Sequence, residues 1–143
     1  MFWIFRRKTK LELLHDSVKK DIKRASKEQM VRAAISIKIF HNILMHDHGG
    51  LSEFATVSKE VQNNFLNTID GAGAQDKGVS IGSGCLLVYI ISSLHGEVKT
   101  FLAITKEIQN ILEIHYDLDE VGLGGLADSL NTLSVAELDS IDG

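Results

Sequence analysis

The chain has 143 residues, 44% hydrophobic and 24% charged, with a formal net charge of −4. A chain of this length fits one domain and can bury about two-thirds of the surface its unfolded form exposes, which removes the need for a disulfide or metal staple; its globular composition leaves disorder expected only at the ends. Cys85 is the single cysteine, so an intrachain disulfide is excluded and a reducing cytosol fits.

Proline is absent, which permits long uninterrupted helices and leaves twelve glycines as the main punctuation. The opening Met1-Phe2-Trp3-Ile4-Phe5 places apolar residues ahead of basic ones and is too short for a secretory signal core. The longest apolar stretch, residues 85–91, is far short of the about 20 residues that cross a bilayer. The expected location is therefore cytoplasmic, with the membrane periphery as a variant. Charge is distributed unevenly. Residues 1–38 carry eleven Lys and Arg against four Asp and Glu, whereas residues 117–143 carry seven Asp and Glu and no Lys or Arg.

The first helix is predicted over residues 9–25, where Leu11, Leu14, Val18, Ile22 and Ala25 form one apolar stripe and Lys19, Lys20, Lys23, Arg24 and Lys27 crowd the remaining surface. Ser26 and Gln29 then make a capping box, which marks a break or kink, although one continuous helix also fits. The second helix is predicted to reach residue 47. Met30, Ile37, Phe40 and Leu44 form one row and Val31, Ile35, Ile39 and Ile43 a neighbouring one, so a wide buried face is expected, closed by Gly49-Gly50. Ser52 is expected to cap a third helix with the stripe Phe54, Val57, Val61, Phe65 and Ile69, ended by Asp70-Gly71.

Residues 71–84, with five glycines, read as the one long loop. Residues 85–94 are apolar on every side. They form either the central helix of a bundle or a strand pairing with Val79-Ser80-Ile81. After His95-Gly96, a further helix to residue 115 places Val98, Phe101, Leu102, Ile108, Leu112 and His115 on one side. The acidic tail, residues 117–143, holds two short helical patterns, 126–133 and 135–141, the latter behind a Ser134/Glu137 capping box. The expected fold is all-α: one domain over residues 1–143, a helical bundle of about five helices with a short acidic C-terminal helical appendage. Residues 1–8 stand apart as an anchor or contact segment.

His46-Asp47, within Leu44-Met45-His46-Asp47-His48-Gly49, resembles the core of the HD-domain metal phosphohydrolases, an all-helical family whose helical His-Asp pair binds a divalent metal. The resemblance implies an earlier histidine, for which His15 is placed, and a later aspartate, for which Asp70 or Asp117 is placed. Such a set would activate water for phosphoester attack. It covers about five residues, a short match for a motif, and Gly50 stands where the family often has lysine or arginine. The plainer reading puts His46 and His48 in the last turn of a helix, whose negative dipole end favours imidazolium.

Other patterns are weaker. His41, His46 and His48 do not converge on a helix, since His41 and His46 point about 140° apart. Asp117, Asp119, Gly122 and Asp128 match part of a calcium-binding EF-hand loop, but Val121 and Gly124 break it. The loop Gly78-Val79-Ser80-Ile81-Gly82-Ser83-Gly84 could offer amides to an anion, and Cys85 reads as core. Phe2, Trp3, Phe5, Arg6, Arg7 and Lys8 combine rings with basic groups in a way that suits a membrane interface, a packing role or a subunit contact.

No complete catalytic set is present. The favoured reading is a non-catalytic helical interaction or regulatory protein that binds a protein partner or itself, with an anionic membrane surface as a further partner and no cofactor. The missing recognition motif and the acidic balance argue against nucleic acid. An HD-like hydrolase using His15, His46 and Asp47 is one alternative; a sensor with a small-molecule pocket in the bundle is another. Opposite charge at the two ends of the chain further implies that the acidic tail could cover the basic first helix.

Overall fold

The computed structural model describes residues 8–115. Six helices and no strand occur among them: α1 (Lys10–Arg24), α2 (Lys27–His48), α3 (Leu51–Phe54), α4 (Lys59–Gly73), α5 (Lys77–Leu94) and α6 (Val98–His115). The all-α bundle is as expected. Residues 85–94 are helical, and the strand alternative falls. The patterns at 126–133 and 135–141 lie outside the described residues.

Helix boundaries follow local hydrogen bonding. Thr9 caps α1, accepting from the Glu12 amide at 3.1 Å. Ser26 accepts from the Gln29 amide at 3.2 Å while the Gln29 side chain accepts from the Ser26 amide at 2.9 Å. Ala25 is extended between them, so the chain breaks there and one continuous helix is excluded. Gly49 and Gly50 close α2 with φ of 75° and 91°, a region that side chains beyond glycine rarely enter.

The third helix of the sequence reading divides in two. Ser58, not Ser52, caps the longer piece, accepting from the Val61 amide at 3.3 Å. The Gln62 amide group donates to the Phe54 carbonyl at 3.0 Å and holds the short turn together. Asp70-Gly71 does not stop α4, which continues to Gly73.

The expected loop over residues 71–84 is the largest correction. Residues 77–84 are the first turns of α5, capped by Asp76, whose carboxylate accepts from the Val79 amide at 3.1 Å. The glycines serve close packing. A Cβ on Gly78 would lie 2.6 Å from the Gln29 carbonyl oxygen, and one on Gly82 would lie 1.9 Å from Ser36 Oγ and 2.7 Å from the Ala33 oxygen. Gly84 faces the other way, where a Cβ would meet Val18 Cγ2 at 2.6 Å. On a third side, Gly73 of α4 sits against Ser80 and Ser83. Thus α5 runs through the centre and touches α1, α2, α4 and α6.

This arrangement also corrects the face of α2. Ala33, Ala34, Ile37 and Leu44 are buried, but Ile35 and Ile39 are 44% and 50% exposed. The small residues let α5 approach, so that side turns inward and the middle of the β-branched row turns out, while Val31 stays half-buried and Ile43 packs on the edge of the core. On α6, Phe101, Ile104, Ile108, Ile111 and Leu112 are buried while Leu102 is 37% exposed. Tyr89 stacks on Phe101 with ring centroids 5.0 Å apart, tying α5 to α6. At 18 residues and mean hydropathy 1.5, α5 as a whole is long and apolar enough to cross a membrane, yet 67% of it is buried within the bundle. Core packing therefore accounts for its apolarity.

Two glycine substitutions should move stability in opposite directions. Gly82→Ala should destabilise by about 2 kcal/mol because the new methyl meets backbone as well as Ser36. Gly71→Ala, with nothing within 4 Å of its Cβ position, should stabilise by about 0.5–1 kcal/mol through helix propensity. Urea unfolding of both variants checks this; equal effects would refute the close-approach assignment.

Candidate functional site

The polar groups enclosed by the bundle are the first candidates for chemistry. His15 on α1 faces Glu107 on α6, with Nε2 and Oε2 3.5 Å apart and side chains 12% and 28% exposed. Neither of these two atoms has a hydrogen-bond partner. His46 and Asp47 lie exposed in the last turn of α2, and Asp70 lies exposed on α4. Among the described residues no three His, Cys, Asp or Glu side chains form a group able to hold a metal ion. The structure therefore does not gather His15, His46, Asp47 and Asp70; Asp117 is outside the described residues, as is the partial EF-hand pattern. His15 is drawn to α6 by the packing of α1, and His46 belongs to a surface turn.

The remaining histidines have structural settings. His48 packs beside Phe54 and Phe65, with ring centroids 5.2 and 4.7 Å away, and clips the end of α2 to α3 and α4. His41 is 1% exposed. Neither of its ring nitrogens has a hydrogen-bond partner, and burial lowers its pKa to about 4. Cys85 is completely buried, and that burial, reinforced by the Glu107 charge, pushes its thiol far above the ordinary value. A reactive cysteine needs the opposite shift, so Cys85 is core.

The anion-binding reading of the glycine-rich segment is also corrected. Its glycines face neighbouring helices, and the Asp76 carboxylate already occupies the start of α5. Asp76 further accepts from Arg32 Nε at 3.1 Å and so joins α5 to α2. The five glycines of residues 71–84 mask this cap in the sequence; its signal is an aspartate three residues ahead of Val79.

Among the described residues, four hollows border α1, and two of them bear on a candidate site. The first, between α1, α4 and α5, has a volume of about 230 Å³ and is lined by Ser17, Asp21, Asp70, Ser80 and Ser83. It is smaller than the about 300–1,000 Å³ of typical ligand pockets, and Lys77 already holds Asp21 at 3.2 Å. The second is an open groove of about 450 Å³ between α1 and α6, lined by Lys19, Ile22, Lys23, Met30, Asn110 and Ile111 among others. Lys8, a proposed contact residue, pairs with Asp16, which raises the lysine pKa and lowers that of the carboxylate. Phe2, Trp3, Phe5, Arg6 and Arg7 lie outside the described residues.

Comparison with protein-family profiles, with curated proteins and with solved structures finds no significant match.

His41 generates a pH prediction. Its folded pKa of about 4 lies below the ordinary 6.5, so between those values the unfolded chain binds a proton that the folded chain refuses. Stability is full above pH 6.5 and should fall by at most about 3 kcal/mol as pH drops toward 4. His41→Leu should remove this part of the acid limb. Unfolding free energies of both proteins between pH 4 and 7 test it; parallel losses would show that His41 contributes nothing.

Proposed function

We propose that this chain is a non-catalytic helical interaction protein that associates with a second copy of itself through the outer face of α2. The observation that carries the reading is the row Val31, Ile35, Ile39 and Ile43, in which the two central isoleucines are 44% and 50% exposed. β-Branched side chains are stiff, so burying them in a contact costs little rotamer entropy.

The row is self-complementary. In an antiparallel pair of α2 helices related by a two-fold axis between residues 35 and 39, Ile35 of one copy meets Ile39 of the other and Val31 meets Ile43. The same operation sets Glu28 opposite His46, an acidic first turn against a basic last turn. The exposed Lys19, Lys20, Lys23 and Arg24 of α1 support an anionic membrane surface as a second partner of the assembly.

The expected result in sedimentation velocity is a concentration-dependent dimer. The Ile35→Glu/Ile39→Glu double variant should weaken it by about tenfold or more with its helical circular dichroism unchanged. A wild-type chain that stays monomeric at high micromolar concentration would overturn the reading.

A further inference from the structure

The groove between α1 and α6 has no role in the α2 contact, and its position points to an occupant. His15 lies against Glu107, residues 12–16 line a hollow with residues 99–103, and residues 19–25 line the groove with residues 107–111. Later residues of one helix thus meet later residues of the other, so α1 and α6 run side by side in the same direction. The chain beyond α6 therefore leaves beside the C-terminal end of α1. Lys23, Arg24 and Lys27 are exposed there, and no ion pair among the described residues uses them, Lys19 or Lys20.

We propose that this groove is the docking site of the chain's own acidic segment, residues 117–143. Charge supports the match: the segment carries seven Asp and Glu with no Lys or Arg, while Lys19 and Lys23 line the groove and Lys20, Arg24 and Lys27 are exposed elsewhere on α1 and at the α1–α2 junction. Apolar chemistry supports it as well. Leu126, Leu130 and Leu133 recur at helical spacing, and the groove presents the half-buried Ile22 and Ala25 above the buried Met30 and Ile111. Glu107 opposes an acidic occupant, but its Oε2 is turned toward His15.

Linkage supplies the affinity that surface charge alone lacks. Exposed ion pairs contribute about 1 kcal/mol or less each, whereas a segment joined to α6 near the groove acts at an effective concentration in the millimolar range. Docking within one chain then covers the basic face of α1 and limits its access to an anionic partner. This surface is separate from the α2 face, so the docking and the α2 dimer stand or fall separately; the effect on an anionic partner rests on the reading of α1 given above.

The test uses the full chain carrying a nitroxide on Ser129→Cys; Cys85 is buried and stays unlabelled. Paramagnetic broadening of ¹⁵N-labelled amides should concentrate on residues 19–25 and 107–111 at low salt. It should disappear in the Lys19→Glu/Lys23→Glu variant, whose sites are exposed and leave the core intact, and should fade at high salt. Uniformly weak broadening, or broadening centred on Ile35 and Ile39, would overturn the proposal. So would broadening that reaches the groove only from a separately labelled second copy, which would make the segment an intermolecular strap.

Discussion

The close approach of α5 to α2 is the constraint on which the rest of the structure depends. No side chain fits where Gly78 meets the Gln29 carbonyl or where Gly82 meets Ser36 and Ala33. Ser36 Oγ is turned back to the Ala33 oxygen at 2.9 Å, which satisfies the hydroxyl inside the contact. Such an approach brings two helices into dispersion contact along their backbones, and it is intolerant of added volume. It also decides the orientation of α2. Once Ala33 and Ser36 must face α5, Ile35 and Ile39 face outward, with Val31 and Ile43 half-buried at the ends of their row.

The other sides of α5 follow the same logic with different partners. Gly84 receives Val18 of α1, Ser80 and Ser83 receive Gly73 of α4, and farther along Tyr89 stacks on Phe101 of α6. Packing this tight carries His41 and Cys85 into the core, where desolvation keeps the imidazole neutral and the thiol protonated. Both groups are thereby held in their uncharged forms. The surfaces that remain distinctive are outside: the apolar row on α2 and the basic rim of the α1–α6 groove.

Much of this was legible in the sequence. The Ser26/Gln29 box, the Gly49-Gly50 stop and the all-apolar character of residues 85–94 each state a local requirement that tertiary structure did not override. Gly78, Gly82 and Gly84 were misread because glycine serves loops and close helix contacts equally well; the four-residue step from Gly78 to Gly82 was the clue to one helical face. The outward row of α2 was misread for another reason. Periodicity groups residues into faces, but with apolar residues on two faces it does not say which one meets a neighbour. The His-Asp dipeptide could not be judged from sequence either, since metal chemistry depends on whether distant residues converge, and the packing of α1 takes His15 to α6.

Native-state hydrogen exchange tests the central position of α5 most directly. If α5 is the axis on which α1, α2, α4 and α6 pack, its amides from about residue 81 to residue 92 should exchange only through global unfolding and be the slowest in the molecule. Their opening free energy should equal the unfolding free energy from denaturant titration. Exchange of those amides at markedly lower free energy than those of α2 or α6 would contradict it.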